Sequence, residues 1–353
     1  MDAGALAERT LRLVDVASES GDETELHAEV LSILHDGGLD AADAGDTCIL
    51  AGITARGDRP LVLLAGHLDT VPVQANRPGH VADGCVHGLG AADMKGSLAV
   101  MLALALDPPA GATVDLGFVF FGREELPVAE GALTPLLARE PGLWTADLAV
   151  VMEPTANAIQ VGCLGNINAT WTFRGTSAHS ARPWLGDNAV HRAAAGIAAL
   201  AEIPAEEHDF HGLRYTEVVS VTRVSGGIAQ NVVPDEAVAG INLRYAPGRS
   251  AADAEARLAA WCAPFGGELV IGSNAPSAPV ATNNPLVQRL RAAGGLTVEP
   301  KQAWTPVAEF AAAGVDAVNF GPGDPAFAHR HDERVEIAAL ARSLLVLGSF
   351  ACA

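Results

Sequence analysis

The run Leu61–Val62–Leu63–Leu64 is apolar at every position, and that limits the folds open to this chain. A strand with one solvated face alternates apolar and polar residues. An uninterrupted apolar strand has both faces covered, as in the parallel sheets of α/β proteins. The segments 113–122 (TVDLGFVFFG) and 146–153 (ADLAVVME) repeat the pattern, and a further strand is expected at about 47–54. Helical patterns stand between and before them: GALAERTLRLVDVAS, ETELHAEVLSILHDGG, the apolar DMKGSLAVMLALAL at 93–106, and GALTPLLARE. This alternation predicts an α/β fold with a mostly parallel sheet covered on both faces.

The pattern changes near residue 166. NATWTFRG alternates like a half-exposed strand, DNAVHRAAAGIAALAEI is helical, and EVVSVTRVSGG and DEAVAGINLRYAP are strands. SAADAEARLAAWCAPF is helical again and GELVIGS is a strand. The β-α-β-β-α-β order is that of a ferredoxin-like unit. Its sheet leaves edge strands open to pairing, so an inserted domain over 167–272 that also mediates dimerisation is expected. Residues 1–166 and 273–353 form the α/β domain. At 353 residues and 49% hydrophobic, the chain has the length and apolar content for two cores.

A net charge of −20 opposes binding to nucleic acid or anionic membranes. Lys95 and Lys301 are the only lysines. No run of 18 apolar residues predicts a membrane span, and the start MDAGALAERT has no basic segment leading an apolar one. The five cysteines are scattered without CxxC spacing. That pattern points to a reducing cytoplasm and away from a thiolate zinc site.

The ends of the apolar strands are unusual. His67 and Asp69 follow the first and would point the same way if the chain stays extended. Glu124 and Glu125 follow the second, and Glu153 follows the third. Asp93 opens the 93–106 helix, and His329 lies near the start of the last helix. Each has a plain structural reading: a loop histidine, a solvated turn, a helix N-cap. Together they gather at the carboxyl ends of one sheet, where α/β proteins bind ligands. Imidazole and carboxylate without cysteine suit a catalytic zinc or a similar ion, and a shared acid suits a pair of ions. Adjacent Glu124 and Glu125 would face opposite ways if extended, which suits two different roles.

The ordered set GHLDTVP, AADMKGS, REE, EPT, GTSAHSARPWLGDNA, NVVPDEA and AHRHDERV spans essentially the whole chain. It resembles the dinuclear zinc hydrolase family of aminoacylase, acetylornithine deacetylase, carboxypeptidase and succinyl-diaminopimelate desuccinylase. VGCLGN, LRYAPGRS, AWTPVAEF and AVNFGPGDPAFAH are most similar to desuccinylases of actinobacterial type. The resemblance implies two Zn²⁺ per subunit, with Co²⁺ or Mn²⁺ as substitutes. His67 and Glu153 would hold one ion, Glu125 and His329 the other, and Asp93 would bridge them. Asp69 would orient His67 and Glu124 would act as general base and acid. His179, in a partner subunit's inserted domain, would stabilise the oxyanion. Arg244, Asn231 and Thr305 match positions that contact substrate.

The spacing from His329 to Glu333 fits the family's AHxxxE pattern, which selects His329 over His331. Two departures bear on substrate and not on metal. Ala91 and Ala92 stand where relatives often carry glycine and threonine, and VGCLGN lacks paired arginines found in many desuccinylases. The activity implied is hydrolysis of an N-acyl amino acid, N-succinyl-L,L-diaminopimelate first, by a cytoplasmic homodimer. Acetylornithine or a dipeptide is the alternative substrate. GLGAADMKG is not the GxGxxG of a dinucleotide site, so a dehydrogenase is rejected.

Overall fold

The computed structural model describes residues 1–353, which divide into two compact units. The larger contains 1–162, 281–299 and 305–353; the smaller contains 163–280 and 300–304. The smaller unit therefore begins four residues before, and ends eight residues after, the boundaries drawn at 167 and 272. The difference arises because Cys163 pairs with Ala278 in an isolated bridge, which adds the flanking segments to that unit. No helix is long and apolar enough to cross a membrane.

The larger unit is built on an eight-stranded sheet. Its spatial order is Ala41–Gly45, Cys48–Gly52, Asp115–Phe121, Leu61–His67, Leu148–Val151, Ala317–Asn319, Ile159–Val161, Val298–Pro300. The four central strands, from Asp115–Phe121 to Ala317–Asn319, pair in parallel. Antiparallel pairings lie outside them. Every residue of Leu61–His67 and of Leu148–Val151 is buried, so both faces of these strands are covered. The helix Gly96–Leu106, buried along almost its whole length, packs on the Leu61–His67 and Asp115–Phe121 strands. It starts three residues later than the sequence pattern suggests. Asp93 has extended dihedrals (φ −126°, ψ 88°) and does not cap the helix.

In the smaller unit the antiparallel order is Glu206–Phe210, Leu213–Gly226, Glu236–Tyr245, Gly165–Arg174, Glu268–Ala275. The last four have the ferredoxin-like arrangement, with helices Ala189–Ala201 and Ala251–Cys262. The helices cover one face, around buried Trp171, Phe173, Ile241, Leu243 and Leu258. Glu206–Phe210 is an added edge strand. It joins its neighbour through the two-residue turn His211–Gly212, both at positive φ as a tight hairpin requires.

Candidate metal centre

Parallel pairing brings three chemically equipped strand ends together. His67 pairs with Phe121 and Ala65 with Val151, so His67, the Glu124–Glu125 turn and Glu153 emerge along one edge. The ladder continues one step past the strands: Leu68 N donates to Phe121 O at 2.8 Å and Met152 N to Ala65 O at 2.8 Å. Ser97, on the central helix, donates its hydroxyl to Met152 O beside Glu153.

The 321–324 loop closes the edge. A Cβ on Gly323 would lie 2.4 Å from Ala92 O, so only glycine lets this loop rest on the segment carrying Asp93. The loop leads to His329, which adopts φ +60°, a left-handed conformation that is uncommon for a non-glycine residue and clusters at functional sites.

Asp93 stands between the two histidines. Its Oδ1 is 3.1 Å from His67 Nε2 and its Oδ2 is 3.4 Å from His329 Nε2. Glu153 Oε1 is 3.8 Å from His67 Nε2, and Glu125 Oε1 is 2.8 Å from His329 Nε2. The ligand atoms of His67, Asp93 and Glu153 lie within 4.8 Å of one another, as do those of Asp93, Glu125 and His329. Two ligands bound to zinc at tetrahedral angles stand roughly 3.3 Å apart, given bonds of about 2.0–2.1 Å. The donor set therefore fits two adjacent cation positions that share Asp93.

The electrostatics agree with that fit. Burial alone would raise the Asp93 carboxyl, but hydrogen bonds from His329 and His67 hold it well below the usual carboxylate range. Hydrogen bonds to Asp93 and Glu125 push His329 up to about 10. For His67, burial opposes the proton, yet Asp69, Asp93 and Glu124 outweigh it and raise the pKa well above the ordinary value. The carboxylates thus draw positive charge to both imidazoles, and a cation held by these residues would take the place of those protons. Glu124 moves the opposite way to Asp93. Burial first, then the Glu153 charge, with Glu125 and Asp93 adding, raise it well above the usual range.

Two expectations about local geometry are corrected. Glu124 and Glu125 do not alternate along a strand; they lie in a turn after Arg123, whose φ is +58°. Their partners still differ, because Glu125 bonds His329 while Glu124 sits among Glu153, His67 and Asp93. Asp69 holds His67 mainly by its main chain: His67 Nδ1 is 2.9 Å from Asp69 O and 3.6 Å from Asp69 Oδ1.

The smaller unit carries His179, Asn231 and Arg244, and the larger unit carries Thr305. His179 lies on a two-strand ribbon, Ala178–His179 with Val232–Val233, and Ser180 N donates to Asn231 O on the same ribbon. Ala181 N donates to His179 Nδ1 at 3.0 Å, which leaves the neutral ring's proton on Nε2. Arg244 is on the sheet instead, its Nε donating to Asn242 Oδ1 at 3.0 Å, with its pKa lowered by burial. Thr305, in the larger unit, is buried and accepts from Ala308 N at the helix Val307–Ala312. Glu206, His208 and Glu217 form another close group. Arg249 and Arg257 already bind Glu217, so this group is an ion-pair network.

The pattern of peptidase family M20/M25/M40 matches residues 63–353. The chain belongs to that family. It is 40% identical over 342 residues to the putative succinyl-diaminopimelate desuccinylase DapE of Mycobacterium tuberculosis, covering 96% of each chain. It is 35% identical to the succinyl-diaminopimelate desuccinylase of Corynebacterium glutamicum, covering 97% of this chain and 94% of that one. In fold it is similar to the M20 family metallo-carboxypeptidase Sso-CP2 of Sulfolobus solfataricus. The TM-score is 0.81 at 17% identity, over 100% of this chain and 99% of the other.

In this M20/M25/M40 chain, two supporting residues escaped the sequence reading. Ser20 donates its hydroxyl to Asp69 Oδ2 at 2.7 Å. Glu333 is buried and bonds the main chain around Asp93. Ser20 lies 49 residues from its partner and has no sequence signal. Glu333 had one, its fixed spacing from His329, which identified the ligand without giving Glu333 a role.

Proposed function

We propose that this protein is a dinuclear zinc amidohydrolase that cleaves N-succinyl-L,L-diaminopimelate to L,L-diaminopimelate and succinate, a step toward lysine. The observation that carries the metal reading is Asp93, with one carboxylate oxygen toward each histidine. The substrate is carried by the desuccinylases at 35–40% identity over nearly the full chain. His67 and Glu153 would hold one Zn²⁺, Glu125 and His329 the other, with Asp93 between; Co²⁺ or Mn²⁺ would substitute.

When bound, the ions supply Lewis-acid polarisation of the amide carbonyl and of the attacking water. Glu124 takes a proton from that water and delivers it to the leaving amine nitrogen. A carboxyl raised by burial and by neighbouring carboxylates holds that proton more readily than an exposed one. His179 of the partner subunit would donate its Nε2–H to the oxyanion. Arg244 would meet a substrate carboxylate with its bidentate guanidinium, and Asn231 and Thr305 would complete the contacts. The inserted unit would serve as lid and as the homodimer contact, and the five free cysteines suit a cytoplasmic location.

Comparison of kcat/KM for succinyl-diaminopimelate, acetylornithine and a dipeptide tests the substrate. A lead of at least tenfold for succinyl-diaminopimelate is expected. A lead for either rival overturns that part of the reading.

A further inference from the structure

The buried Glu333 carboxylate is used entirely on main chain. Its Oε2 accepts from Gly90 N at 2.8 Å, and its Oε1 accepts from Ala92 N and Asp93 N, both at 3.0 Å. Its own carbonyl accepts from Gly88 N at 3.0 Å. Residue 333 thus fastens residues 88–93 at four points. It also lies four residues beyond His329, on a segment anchored by Gln74 Nε2 to His329 O (3.0 Å) and Asn76 Nδ2 to Arg330 O (3.2 Å).

We propose that Glu333 is a positioning residue that sets Asp93 midway between the two cation positions. The inference rests on the two-metal reading above. Asp93 is held at its amide by Glu333 and faces His67 and His329 with its two carboxylate oxygens. The segment 90–95 includes no regular α-helix, and Asp93 and Met94 have non-helical dihedrals, so local periodicity does not fix where Asp93 points. Three amide bonds to one carboxylate do. Because Glu333 is in the chain segment that presents His329, it also ties the spacing of Asp93 to that histidine. A single ion can draw Asp93 toward itself as an ordinary ligand. Two ions need it held in the middle, so Glu333 matters most for the second ion.

The test is titration of the metal-free full-length protein with Co²⁺, followed by calorimetry and by the visible spectrum. Wild type should take up two ions. Glu333→Gln replaces one acceptor oxygen with an NH₂ group that confronts an amide donor. It should bind the first ion within about threefold of wild type and the second about 10–100-fold more weakly, the range for residues that support metal ligands. Its Co²⁺ spectrum at two equivalents should differ from wild type. Unchanged binding of both ions overturns the inference and leaves the two-metal reading standing. Equal weakening of both ions also overturns it, because that is general loosening. Fewer than two ions on wild type removes the two-metal reading and this inference with it. If Glu333→Gln does not fold, hydrogen exchange of the wild-type protein decides. Slow exchange at the amides of Gly90, Ala92 and Asp93 supports the inference; exchange as fast as in an exposed loop overturns it.

Discussion

Glu124 donates its main-chain N–H to Asp69 Oδ1 at 2.9 Å, and Glu125 donates to Oδ2 of the same carboxylate at 3.1 Å. With the Ser20 hydroxyl on Oδ2, Asp69 gathers three donors. It is fully buried, and although burial opposes its charge, the His67 imidazole 3.6 Å away and the bonds from Ser20 and Glu124 lower its pKa. The strand end that carries His67 therefore also sets the turn that carries the proposed base and a proposed metal ligand. Asp69→Asn should disturb that turn, because the amide nitrogen must confront an N–H. A fall in kcat of about 10–100-fold with little change in KM is expected. Steady-state kinetics at matched metal content check it, and a fall of less than threefold removes Asp69 from this role.

The paired glutamates should separate by experiment. Glu124→Gln should keep its metal and lose about 10²–10⁴-fold in kcat, the worth of general acid–base catalysis. Glu125→Gln loses the charge that faces His329 and should bind metal more weakly at that site. Metal analysis beside kinetics distinguishes them; identical metal content and identical kinetics in the two variants would refute the division of labour.

Glu309 gives a pH dependence of stability. Burial, against the opposing hydrogen bond from Thr134 Oγ1, pushes its pKa up to about 7 from 4.5. The folded chain holds this proton more tightly than the unfolded chain does. The contribution is therefore full below about pH 4.5 and is lost as pH rises through about 7. Glu309→Gln stays neutral and keeps an acceptor for Thr134. It should be more stable than wild type at pH 8.5, by at most roughly 3 kcal/mol, and lose that advantage at pH 5. Urea unfolding of both proteins at the two pH values measures this; a pH-independent difference contradicts the assignment.

Mixed dimers test the shared site. His179→Ala and Glu124→Gln should each be inactive alone. In a heterodimer the first subunit keeps its metal ligands and base, and the second keeps a His179 to lend. One site should recover, about half the wild-type activity per purified heterodimer at most. Proven heterodimers without recovery would place His179 outside the partner's site.

The sequence by itself determined the mostly parallel sheet and pointed to an inserted unit and to the candidate metal-site residues. The evidence for these is local: apolar runs mark buried strands, periods of 2 and 3.6 mark faces, and strand ends show their polar residues directly. The hairpin strand Glu206–Phe210 was not legible, because His-Gly is not one of the residue pairs that signal a tight hairpin and the strand does not carry a run of apolar residues. The start of the central helix was misplaced because Asp93 suits an N-cap, whereas here it faces two histidines. Only the tertiary structure decided how the site is held. His67 meets Asp93 across 26 residues, Asp69 meets Glu124 across 55, and Glu333 meets Asp93 across 240. Such contacts depend on where loops land when the strands pair, and no local period records that. The same holds for the Glu124–Glu125 turn, whose direction comes from two amides on a carboxylate one strand away and not from the alternation of an extended chain.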